Sequence, residues 1–110
     1  MFFLDYAAIA PREIVPGFHG RYAHSDSLTQ GRVDIEPDAR LPEHSHPHEQ
    51  WTLVLSGSLE LTVAGVARVL QPGQLVYIAP FEPHSARALT ACQVLDVFHP
   101  VREDYRESSR

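Results

Sequence analysis

His44-Ser45-His46-Pro47-His48-Glu49-Gln50, followed by Trp51-Thr52-Leu53-Val54-Leu55-Ser56-Gly57-Ser58-Leu59-Glu60-Leu61-Thr62-Val63, decides the fold. Three imidazoles and an amide enter a β-branched run. A Ser-Gly turn then leads to a second run that alternates polar and apolar until Ala64-Gly65. Two such runs joined by a glycine turn read as a β-hairpin. On a strand the side-chain period is two, which would point His44 and His46 to one face. His48 and Gln50 share that parity, but Pro47 cannot donate to a ladder. A bulge or strand onset near it leaves open which of the four points inward.

Outward from this stretch the same grammar repeats. Gly31–Glu36 alternates, and Ala67–Leu70, Leu75–Ile78 and Gln93–Phe98 are apolar or alternating runs separated by turns such as Pro72-Gly73. No window from residue 20 to residue 98 carries a helical apolar stripe. Residues 5–14 fit a short helix or an irregular edge, and 102–110 form a charged tail. Many short strands at regular spacing predict an all-β antiparallel sandwich or barrel, a jelly roll in particular. At 110 residues the chain reads as one domain, 1–110.

Composition narrows the classes of function. Nine arginines stand against fourteen acidic residues for a formal charge of −5, and they are scattered from Arg12 to Arg110. No basic stripe follows a phosphate backbone, so nucleic acid is not an expected partner. No window reaches eighteen apolar residues and the start Met1-Phe2-Phe3-Leu4-Asp5 lacks a positive region, so no membrane partner is expected and the cytoplasm is the expected location. The single Cys92 reads as a small strand residue rather than a nucleophile, since no activating base stands beside it in sequence.

The chemistry lies in the histidines. His84 follows Gln50 by 34 residues, beyond two turns, and a closed β-fold can return it to His44 and His46. Imidazole suits borderline divalent ions, and the Gln50 amide oxygen can complete a shell without adding charge. His48 reads as a rim histidine and Glu49 as facing away from Gln50. His19, His24 and His99 read as ordinary polar residues, although His24 or His99 could reach the ion. Near the last strand, Val94, Asp96 and Phe98 share parity. A strand aspartate among apolar neighbours needs a partner or a role, and proton transfer is one. Arg102 could cross a barrel mouth to hold a carboxylate, or pair with Glu103 or Asp104 on the surface. Trp51 and Tyr77 read as core residues or as pocket wall.

These residues carry a resemblance. His44-x-His46-x3-Gln50-x6-Gly57 resembles the first cupin motif, with glutamine in place of the usual glutamate. Gly73-x6-Pro80-x3-His84 resembles the second, with Ala88 where asparagine is common. The resemblance spans residues 30–100. It implies the double-stranded β-helix fold, one divalent metal ion (Ni, Zn, Fe, Mn or Co) inside the barrel, and a homodimer. With Asp96-Val97-Phe98-His99-Pro100-Val101-Arg102-Glu103-Asp104-Tyr105 added, the chain is similar to small single-domain cupins that convert 4,5-unsaturated monouronates from pectin or alginate into linear keto sugar acids. That similarity implies His44, His46, Gln50 and His84 as metal ligands, Asp96, Phe98 and Arg102 as residues needed for turnover, and a carboxylated sugar as substrate. Zinc cupins that cyclise polyketides, iron dioxygenases and non-catalytic effector-binding cupins are the alternatives.

Overall fold

The computed structural model describes residues 1–107. A 3-10 turn at Tyr6–Ala8 precedes ten strands: β1 Arg12–Val15, β2 Phe18–His24, β3 Thr29–Ile35, β4 Arg40–His44, β5 Glu49–Ser56, β6 Leu59–Val63, β7 Val66–Leu70, β8 Leu75–Ile78, β9 His84–Ala88 and β10 Cys92–His99. A short helix, α1, follows at Glu103–Glu107. One sheet has the order β1-β2-β3-β10-β5-β8 and the other β4-β9-β6-β7, with every pairing antiparallel. This is the jelly-roll architecture expected from the strand pattern, and it fits the double-stranded β-helix that the motif resemblance implies. No helix among the described residues is long and apolar enough to cross a membrane.

Several local expectations need correction. The runs on either side of Ser56-Gly57-Ser58 do not form a hairpin, because β5 pairs with β10 and β8 while β6 pairs with β7 and β9. The turn carries the chain from one sheet to the other. Gly57 makes the crossing possible: its φ is +81°, and a Cβ there would strike the Ala91 carbonyl and the Cys92 backbone. The hairpin in this region is β6–β7, closed by Ala64 and Gly65, both with positive φ. Residues 5–14 divide between the 3-10 turn and β1 rather than forming one helix. The expected charged tail is helical over Glu103–Glu107, and residues 108–110 lie outside the described residues.

The core lies between the sheets and is built by alternation. Along β3, Thr29, Gly31, Val33 and Ile35 point inward, and β5 sends in Gln50, Thr52 and Val54. Phe18, Leu59, Leu61 and Val94 close the centre, each buried. Full burial of one such side chain contributes roughly 1.5–3 kcal/mol. The same alternation puts Trp51 and Tyr77 outside. They are 46% and 42% exposed and touch each other at 5.2 Å between ring centroids. They are therefore not core, and neither lines the cavity beside the histidines, although Tyr77 borders a separate surface groove.

Candidate metal centre and cavity

His44 ends β4 and sits directly across from His84, which opens β9. His46 is not on the strand; it lies in the connection between β4 and β5. The two imidazoles converge because the chain bends after His44, so strand alternation is not what brings them together. Pro47 stands in that bend, as its missing N–H requires. The rings of His44 and His84 are 4.2 Å apart and those of His46 and His84 4.9 Å. One nitrogen from each of the three lies within 4.8 Å of the others, a grouping able to hold a metal ion. His24, His48 and His99 stand outside it. His24 bonds Thr29 instead, and His99 faces Glu49 at 3.7 Å.

Each of the three rings is pinned by the main chain. Nδ1 of His44 lies 2.9 Å from the Pro42 carbonyl, that of His46 3.0 Å from the His48 carbonyl, and that of His84 2.8 Å from the Glu82 carbonyl. A carbonyl can only accept, so each Nδ1 carries the proton and each Nε2 offers a lone pair. Nε2 of His84 is buried with no hydrogen-bond partner. Burial lowers the pKa of both His46 and His84, with Arg102 adding to the effect, and His46 falls to about 4. Both rings are therefore neutral at pH 7, as metal ligands must be.

Gln50 adds a sharper observation. Its Oε1 lies 3.0 Å from Nε2 of His46, whose Nδ1 already faces a carbonyl. A neutral imidazole has one N–H for these two acceptors, so one contact has no proton. A cation between Nε2 and Oε1 resolves that conflict. The orphaned nitrogen of His84 and the nitrogen-rich donor set point the same way, and the residues fit a borderline divalent ion.

The histidines open onto a cavity of about 420 Å³. Gln50, Thr52, Asp96, Phe98, Arg102 and Tyr105 line it near the imidazoles, while Phe18, Ile35, Leu59 and Leu61 line its depth. Asp96 comes from the middle of β10. Its Oδ1 accepts a 2.6 Å hydrogen bond from the Thr52 hydroxyl. Burial pushes its pKa up to about 6, while the hydrogen bonds from Thr52 and Gln50 and the charge of Arg102 pull the other way. Phe98 packs edge-on against His46 at 5.8 Å.

Arg102 is buried at the cavity and pairs with Asp104, one of the two acidic partners expected for it. Its Nε and Nη2 donate to the two oxygens of Asp104 at 3.1 and 2.8 Å, and the pair stands at the cavity mouth with Arg102 buried and Asp104 exposed. The guanidinium lies 4.0 Å from the Tyr105 ring centroid and 4.8 Å from that of Phe98, and both contacts fix its plane. Its backbone N–H is held by the fully buried Thr29 hydroxyl at 2.8 Å. Sequence reasoning did not single out Thr29, Thr52 or Tyr105. Thr52 carried one signal, its shared parity with Gln50.

Comparison with known proteins agrees with this fold. The family described as Cupin domain matches residues 31–98. An RmlC-like cupin from Shewanella frigidimarina is 25% identical, with 96% of each chain covered and a TM-score of 0.90. KdgF from Halomonas sp. is 29% identical, with 96% of this chain and 97% of that one covered and a TM-score of 0.86. Oxalate decarboxylase from Bacillus subtilis shares the fold, at 23% identity and a TM-score of 0.77 over 88% of this chain and 29% of that one.

Proposed function

The chain belongs to the Cupin domain family, and on that footing we propose that it converts 4,5-unsaturated monouronates into linear keto sugar acids in a metal-dependent reaction without redox chemistry. One observation carries the reading. A carboxyl held toward its neutral form (Asp96), a stacked guanidinium (Arg102) and a three-imidazole group face a single cavity of about 420 Å³, a volume suited to one small sugar acid. The motif resemblance and the likeness to KdgF support the same choice.

His44, His46, His84 and Gln50 would hold the ion. A divalent ion bound there supplies Lewis acidity to a substrate oxygen. Arg102 holds the uronate carboxylate through its planar donor fork, which the substrate takes over from Asp104. Asp96 takes the proton of the anomeric hydroxyl. As C1=O forms, the C1–O5 bond breaks, O5 becomes the C5 ketone, and the C4=C5 electrons capture a proton at C4. Asp96 returns that proton, so atoms balance and no oxidant enters. A carboxyl whose pKa is near 6 can both accept and return a proton close to neutrality. Phe98 keeps Arg102 and His46 in place by ring contact. The homodimer and the cytoplasmic location stay part of this reading.

The test is incubation of metal-loaded protein with 4,5-unsaturated galacturonate or mannuronate, following loss of far-ultraviolet enol-ether absorbance. A rate equal to the spontaneous one rejects the assignment. The aliphatic depth of the cavity favours a second reading, cyclisation of a flat, largely apolar ligand. Turnover of such a ligand with no acceleration on uronates would select it.

A further inference from the structure

Glutamine poses a problem that glutamate does not. Either oxygen of a carboxylate can meet a cation, whereas an amide must present oxygen and turn away its NH2. Gln50 is buried at 8% exposure, so its orientation is decided by the protein rather than by water. The neighbour best placed to decide it is Thr52, two residues along β5 on the same face and 3% exposed.

A hydroxyl has one proton. The Thr52 proton goes to Oδ1 of Asp96 at 2.6 Å, so toward Gln50 the hydroxyl can only accept. The group it meets at 2.8 Å must be the amide nitrogen. Gln50 also donates to Asp96. With the NH2 committed to this side, Oε1 is left facing Nε2 of His46 at 3.0 Å. The order of donors runs Gln50 to Thr52 to Asp96 in one direction only.

We infer that Thr52 is a positioning residue for the metal centre: its hydroxyl, anchored on Asp96, turns the Gln50 amide so that oxygen rather than nitrogen meets the ion. The inference rests on Gln50 being a metal ligand, part of the functional reading above. It also accounts for how a glutamine can stand in the motif's glutamate position. Groups just outside a metal's ligand shell usually change affinity by about 10–100-fold when removed.

The experiment is chelator competition with zinc on the whole chain, read as a dissociation constant and needing no substrate. Thr52→Val keeps shape and removes the acceptor, so zinc should bind about 10–100-fold more weakly. Thr52→Ser should restore wild-type affinity. In a Gln50→Glu background the side chain has no wrong way round, so Thr52→Val should change affinity less than about twofold there. An equal loss in both backgrounds would make Thr52 merely structural and overturn the inference, as would no loss with Gln50 present. Should Thr52→Val not fold, Thr52→Ala, read with and without Gln50→Glu, applies the same criterion. Gln50→Leu separates the two levels. If it leaves zinc affinity unchanged, Gln50 is not a ligand and the larger reading of the shell fails. If it weakens zinc while Thr52→Val does not, only the role of Thr52 falls.

Discussion

Replacing Asp96 by asparagine should make the metal-free protein more stable at pH 7 while abolishing turnover. Burial raises the Asp96 pKa from 3.8 to about 6, so the folded protein holds that proton more tightly than the unfolded chain does. Between those values the native state binds more protons, and the aspartate's contribution to stability falls as pH rises through the window. By pH 7 both states are ionised and the native state carries the full cost, up to about 3 kcal/mol. The asparagine of the Asp96→Asn variant is neutral at every pH, and its side-chain oxygen can still accept from Thr52. Urea unfolding of metal-free protein at 25 °C should therefore show the variant gaining up to about 3 kcal/mol at pH 7, a midpoint shift of roughly 1–3 M. The gain should vanish near pH ~3.5, where Asp96 is protonated in both states. His46 runs the opposite way, neutral in the fold until about pH 4, but it is common to both proteins and cancels in the difference. A variant no more stable at pH 7, or equally stabilised at both pH values, would refute the claim that Asp96 is held against its charge.

Asp104 now occupies the donor fork that a substrate carboxylate would use, so Asp104→Asn should tighten galacturonate binding roughly fivefold, by the order of a partly exposed ion pair. Galactose, which lacks the carboxylate, should bind unchanged, and calorimetric titration of both sugars checks the contrast. His84→Ala should lower zinc affinity by at least about 10-fold and also destabilise the metal-free protein by about 1–3 kcal/mol in urea unfolding, because the buried ring gives up its packing and its hydrogen bond to the Glu82 carbonyl. Gly57→Ala should cost about 1–2 kcal/mol from its positive φ alone, and more from the collision with the Ala91 carbonyl. Chemical denaturation measures that loss.

The strand content and the candidate donors were legible because both are periodic or local. Alternation marks β3, β6 and β10, and a histidine cluster needs no fold to be noticed. The sheet exchange at Gly57 was not legible, because a Ser-Gly turn looks the same whether the next strand pairs back or crosses over. β4 was hidden by Pro42, which is tolerated there because β4 is an edge strand. Trp51 shows the limit of residue type as a guide: an aromatic ring on a strand reads as core, and only register places it outside. Thr52 escaped notice for a related reason. Threonine is common in strands, and its role depends on which protons its neighbours across the sheet already claim.

The carbonyl contacts of Pro42, His48 and Glu82 to the three imidazoles have a further consequence. Rings clamped by the backbone before any ion arrives do not have to rearrange to receive one, so little ordering opposes binding and the intrinsic preference of nitrogen donors comes through, with manganese held least tightly and nickel more tightly than iron or cobalt. Which element is recovered with the purified protein would then follow that order weighted by what the growth medium supplies.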